Sequence, residues 1–184
     1  MVTKAAQSIL LKVANNAIAY GLANGCEMRV DVNEFETELQ EQRASFVTLE
    51  LHGELRGCIG SLEAYRPLAQ DVAHNAYAAA FCDPRFAPLT AVEFRDLEIH
   101  ISILNPAEEM AFTSEEDLIA QLRPGIDGLI LSDGLARGTF LPGVWASLPD
   151  PREFLAHLKL KAGLPAHYWS ERLKVKRYTT TMFP

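Results

Sequence analysis

The chain is short of the features that tie a protein to nucleic acid, lipid or a disulfide scaffold. Basic residues are outnumbered 17 to 24 by acids, for a net charge of −7, which argues against bulk binding to nucleic acid or an anionic membrane surface. No apolar run reaches the roughly 18 residues needed to cross a bilayer. The start, Met1-Val2-Thr3-Lys4, runs straight into a helical pattern without a signal-peptide layout. The three cysteines, Cys26, Cys58 and Cys82, are odd in number and far apart. They form neither a disulfide framework nor a zinc set, and they suit a reducing cytoplasm. There is no phosphate-cradling glycine loop, no metal-ligand spacing of histidine, cysteine or carboxylate, no repeat and no low-complexity segment. The expectation is no metal and no cofactor.

What is present is globular. Hydrophobic residues make up 48% of 184, which fits one compact domain, or two small lobes sharing a core. Residues 3–23 place Ile9, Leu10, Val13, Ala17 and Tyr20 at helical spacing, and Asn24-Gly25 stops them. The acidic segment 31–44 reads as a surface connection or a short helix. Residues 45–51 form a strand, His52-Gly53-Glu54 a turn, and 55–62 the returning strand. Pro67 suits the first turn of an alanine-rich helix over 67–81, which Asp83-Pro84-Arg85-Phe86 terminates. Leu97, Ile99, Ile101 and Ile103 alternate with Glu98, His100 and Ser102, the pattern of a half-buried strand.

Further on, Ser114 and Asp117 match a capping box for a helix near 115–122. The segments 126–131 and 136–141 flank the hairpin dipeptide Asp133-Gly134. Asp150-Pro151-Arg152-Glu153 opens a helix that stops at Gly163. The tail 173–181 reads as one final strand. Hairpins interspersed with helices give an α+β class with a mainly antiparallel sheet and flanking helices.

The most informative stretch is Leu55-Arg56-Gly57-Cys58-Ile59-Gly60. Residues two apart on a strand share a face, so Arg56 and Cys58 are expected to point the same way. A guanidinium beside a thiol favours the thiolate, which attacks electrophiles and binds metals. Gly57 and Gly60 lack a Cβ, so a ligand or another backbone segment can approach closely there.

This LRGCIG run, together with DPRF at 83–86, ISIL at 101–104 and GIDGLIL at 125–131, resembles the AMMECR-one domain family. RGTFLP at 137–142, LPDPREFLAHL at 148–158 and KAGLP at 161–165 continue the series. The matches span residues 45–180 in order, within a single domain taken as 1–184, and the long second half looks like the bacterial branch, protein A of the AmmeMemoRadiSam system. The resemblance implies an α+β protein of two intimately joined lobes, with LRGCIG lining a cleft. It also implies Memo-like and radical SAM proteins as company, and it implies no particular reaction. The chain departs from the family at His100 and at Ala146, where members often carry an acid.

Each candidate residue has a functional and a plain reading. Cys58 is a nucleophile or thiolate ligand, or a small buried packing residue. Arg56 clamps a carboxylate or phosphate, or pairs with one of the chain's own acids. Asp83 and Arg85 touch a ligand, or stop a helix with Phe86 as anchor. Glu98, His100 and Ser102 meet the cleft, or are the solvated side of a strand. No obvious base accompanies Cys58: His52 lies across part of the turn, and His74 and His100 come near only if the fold brings them there. Trp145, Phe140, Tyr168 and Trp169 are a binding surface or core, and Lys174, Lys176 and Arg177 a solvated strand end. Two functions compete. One is a non-catalytic cytoplasmic partner or subunit whose cleft, with Gly57, Gly60, His52, Asp83, Arg85 and His100 near Cys58 and Arg56, takes a peptide or small ligand. The other is a cysteine-dependent enzyme acting on a small anionic or carbonyl substrate through Cys58 and Arg56. Whether the chain is an enzyme stays open at this point.

Overall fold

Thr3 sets the first helix. Its Oγ1 accepts from the Ala6 N–H at 3.2 Å, and α1 (Lys4–Asn24) runs to Gly25, whose φ of 70° closes it in the left-handed region. The computed structural model describes residues 2–184. They divide into two compact units: the chain up to Leu104 together with Thr181–Pro184, and Asn105–Thr180. Helices and antiparallel hairpins occur in both, so the class is α+β; the strands form two four-stranded sheets, one for each unit.

In the first unit a 3-10 turn (Val32–Glu34) and the short α2 (Thr37–Gln40) fill the acidic connection. Strands β1 (Ser45–Leu51), β2 (Glu54–Gly60) and β3 (Leu97–Leu104) follow, with α3 (Leu68–Phe81) between the last two. The final strand of the chain completes the sheet beyond β3, leaving β2 at an edge. Val47, Leu49, Ile101 and Ile103 bury one sheet face in a core shared with Leu10 and Ile18 of α1 and Leu68, Val72 and Ala76 of α3. The alanines let α3 lie very close: a Cβ built on Gly57 would stand 2.2 Å from the Ala79 carbonyl oxygen. A buried network fastens α3 to the sheet. Asp71, fully buried, accepts from Ser45 N (2.9 Å), Ser45 Oγ (2.7 Å) and Asn75 Nδ2 (2.9 Å), and pairs with Arg66. Burial pushes the Asp71 carboxyl up from its ordinary range, opposed by the Ser45 hydrogen bonds and the Arg66 charge.

The second unit comprises β4 (Glu108–Glu109), α4 (Glu115–Gln121), β5 (Gly128–Asp133), β6 (Ala136–Phe140), α5 (Pro151–Lys161) and β7 (Lys174–Tyr178). Its strand order is β4-β7-β5-β6. Trp145 stacks on Phe154 at 3.7 Å and donates from Nε1 to the Asp127 carbonyl at 2.7 Å, with Phe140 edge-on to Phe154. These aromatics are core rather than a binding surface. Trp169, 36% exposed, stands edge-on to Phe112. Lys159 is sealed inside, paired with Glu115.

Several boundaries differ from those expected: β5 runs over Gly128–Asp133 instead of 126–131. Pro67 lies outside α3, with an extended ψ of 140°, and the Leu68 N–H goes to the Glu41 carbonyl. Strand β2 stops at Gly60, two residues early. The tail is two strands, β7 and β8 (Thr180–Phe183), in different sheets. Asn105 donates from its backbone to the Thr179 carbonyl and from Nδ2 to the Thr179 hydroxyl, both at 2.8 Å, which pins the junction. Among the described residues no helix is long and apolar enough to cross a membrane.

Candidate functional site

Strand β2 carries the LRGCIG segment at the open edge of its sheet, where unpaired backbone groups need partners. The hairpin turns on two residues in the left-handed region, His52 (φ 53°) and Gly53 (φ 80°). Its register then shifts: Leu51 faces Glu54 and Glu50 faces Leu55, but Leu49 faces Gly57, so Arg56 is an extra residue on the edge strand. Cys58 thereby lies opposite Thr48, and the thiol sits 3.2 Å from the Thr48 hydroxyl.

The Asp-Pro-Arg-Phe turn supplies the missing edge. The buried Asp83 carboxylate accepts the Cys58 N–H at 2.9 Å, and Arg85 Nη2 donates to the Cys58 carbonyl at 3.3 Å. Asp83 and Arg85 also bind each other, through Nη2 at 2.7 Å and Nε at 3.0 Å. Two side chains thus do for Cys58 what a neighbouring strand would do. The Arg85 hydrogen bond holds the Asp83 carboxyl far below the ordinary carboxylate range. The same pair raises Arg85.

Arg56 is directed elsewhere. Its Nε donates to Glu93 at 2.9 Å, and its Nη2 reaches both Glu93 (3.3 Å) and the Ala87 carbonyl (2.9 Å). Glu93 also takes the N–H and hydroxyl of Thr90, each at 2.8 Å. Arg56, followed by Thr90, lowers the Glu93 carboxyl to about 2. The Phe86 ring lies 5.7 Å from the Arg56 guanidinium and 5.5 Å from that of Arg85.

The expected neighbours of Cys58 therefore separate. Asp83 and Arg85 bind its backbone directly. Arg56 is an internal ion pair. The glycines receive the protein's own atoms: Gly57 the Ala79 carbonyl, Gly60 the Phe46 ring (2.3 Å from a built Cβ) and the Ser45 carbonyl (2.4 Å). Of the two visitors the glycines admit, a ligand or another backbone segment, the one present is the protein's own chain. His52 is exposed at the hairpin tip, and His74 pairs with Glu27 at 2.9 Å. A surface hollow of about 530 Å³ in this unit is lined by Glu27, Met28, Arg29, Val30, Arg66 and Gln70, without Cys58 or Arg56. Thr48 and Glu93 escaped the sequence reading. A simple hairpin through His52-Gly53 would pair Thr48 with Gly57; the extra residue moves it to Cys58.

His100 stands across β1 from Cys58, since Thr48 pairs with Cys58 on one side and His100 on the other. One step along the same face, Glu50 pairs with Glu98. One donor atom from each of Glu50, Glu98 and His100 lies within 4.8 Å of the others, a grouping invisible to linear spacing because it crosses two strands.

The sequence model of the AMMECR1 family matches residues 11–183. A protein of Methanothermobacter thermautotrophicus is 36% identical over 178 residues, covering 95% of this chain and 91% of its own. Protein MJ0810 of Methanocaldococcus jannaschii is 36% identical over 159 residues, covering 84% and 79%. The crystal structure of uncharacterized protein PH0010 from Pyrococcus horikoshii superposes with a TM-score of 0.82 at 34% identity, covering 95% of this chain and 88% of that one. By its family match and these relatives, the chain belongs to the AMMECR1 family.

Proposed function

We propose that this AMMECR1-family chain acts as a non-catalytic partner or subunit that presents the braced β2 edge to another protein. The observation that carries this reading is how the arginines beside Cys58 are used: Arg56 pairs with Glu93, and Arg85 with Asp83 and the Cys58 backbone. The thiol's hydrogen-bond partner among the described residues is the Thr48 hydroxyl, which is no base. A reactive cysteine needs a base or an uncommitted cation beside its sulfur. Arg85 has 53% of its side chain exposed, which gives a partner a charged handle on an ordered frame.

The partners we propose are the Memo-like and radical SAM proteins of an AmmeMemoRadiSam system in a reducing cytoplasm, with this chain as protein A of its bacterial branch. The ordered series of motifs from LRGCIG to KAGLP supports that placing. The alternative is a cysteine-dependent enzyme working on a small anionic or carbonyl substrate, favoured by the half-exposed Arg85 guanidinium, which donates to the Cys58 carbonyl.

The test is to mix the purified chain with each of the two candidate partners from the same genome and to measure association by sedimentation. The expected result is a complex that Arg85→Ala weakens and Cys58→Ser leaves intact. No complex with either, with Cys58 labelled by thiol reagents faster than the exposed Cys26 and Cys82, would overturn the reading in favour of the enzyme.

A further inference from the structure

The outer face of the first sheet gathers two carboxylates and an imidazole whose hydrogen bonding the protein's own groups do not complete. Glu50 on β1 and Glu98 on β3 are direct cross-strand partners, and like charges directly opposite are destabilising. His100, diagonal to Glu50, brings its Nε2 to 3.6 Å from Glu50 Oε2. That is an ion-pair separation when the imidazole is protonated, but it is beyond hydrogen-bond length. The same nitrogen is sealed from solvent and has no hydrogen-bond partner among the described residues, although an imidazole nitrogen removed from water normally finds one.

Both anomalies have one remedy. We propose that Glu50, Glu98 and His100 form a binding site for a single divalent transition-metal ion of the zinc class. With metal–ligand bonds of about 2.0–2.1 Å, neighbouring donors of a tetrahedral site lie about 3.4 Å apart. The 3.6 Å separation of His100 Nε2 and Glu50 Oε2 matches that edge, and all three donors fall within 4.8 Å. A cation converts the Glu50–Glu98 repulsion into attraction and gives the sealed nitrogen a partner. The imidazole selects against magnesium and calcium, which prefer all-oxygen shells. Three protein donors leave at least one position open to water. The site lies wholly within the first unit and uses none of the groups that brace Cys58.

The test uses the full chain stripped with a chelator and titrated calorimetrically with Zn²⁺, with Mg²⁺ and Ca²⁺ as comparison ions. The expected result is one saturable zinc site per chain, unaffected by Cys26→Ser and Cys82→Ser and weakened roughly tenfold or more by His100→Ala or Glu98→Gln. Bound zinc raises the melting temperature of the parent protein. Glu98→Gln, at an exposed position, then gives a reversal of sign. In chelator it melts above the parent, because the repulsion is gone; in zinc it melts below. Absence of saturable zinc binding overturns the proposal. So does binding that survives both His100→Ala and Glu98→Gln, or that follows the cysteines instead. If His100→Ala fails to fold, the Glu98→Gln reversal alone decides.

Discussion

A methyl group at residue 57 would stand 2.2 Å from the Ala79 carbonyl oxygen, and that oxygen is helix backbone that no rotamer change can move. Gly57→Ala must therefore push α3 off β2 or twist the edge strand. We expect it to destabilise the chain by about 3 kcal/mol, read as a lower urea midpoint at unchanged slope. A variant as stable as the parent would mean the contact relaxes freely. The two glycines and the need for close approach are legible in the sequence; the visitor is not, because the protein's own helix at Gly57 and its own Phe46 ring at Gly60 arrive only with the fold. Arg56 and Cys58 were legible as unusual neighbours on a strand. Their partners were not, because Glu93 and Asp83 are 37 and 25 residues away, and only the closed fold brings them to the edge.

Between elements, residues 83–93 act as a brace for β2, tied by Asp83 and Arg85 at one end and by Glu93 at the other. Hairpin β1–β2, strand β3 and helices α1, α3, α4 and α5 follow from alternation, helical spacing and caps. The brace has no such signature, since its order comes from side chains meeting an edge. The same holds for the split of the tail, where β-branched residues signal extended chain but not which sheet receives it. The brace has a pH signature. Glu93 titrates in the folded chain at about 2, below its ordinary 4.5. Its ion pair therefore stabilises fully above about pH 4.5, and that contribution is lost as the pH falls toward 2. Glu93 is 31% exposed, so the contribution is modest, about 1 kcal/mol. Melting temperatures of the parent and Glu93→Gln, compared between pH 7 and pH 2, should converge as acid removes what the substitution already lacks. Parallel curves across that range would show that the pair contributes nothing.

At the scale of the whole chain, the first unit is closed by its last residues. Strand β8 adds to the sheet beyond β3, and Phe183, 6% exposed, joins a core otherwise built before residue 105. The second unit, Asn105–Thr180, is thus an excursion from a chain that returns to finish its first sheet. Its two ends are held together, since the Asn105 N–H donates to the Thr179 carbonyl at 2.8 Å. A short flexible linker can span that gap at little entropic cost. Two shortened chains then separate topology from mere length. One ends at Leu104 and lacks β8; the other replaces residues 106–178 by a few glycines and serines and keeps it. The linked chain should retain the helical signal of α1 and α3 and slow exchange of the Cys58 amide, which Asp83 holds. The chain ending at Leu104 has lost an outer strand and a buried phenylalanine, worth about 3–5 kcal/mol on the scale of a core truncation, and should exchange that amide faster by orders of magnitude. Equal protection in both would show that β8 is dispensable to the braced edge, and equal loss that the first unit does not stand without the second.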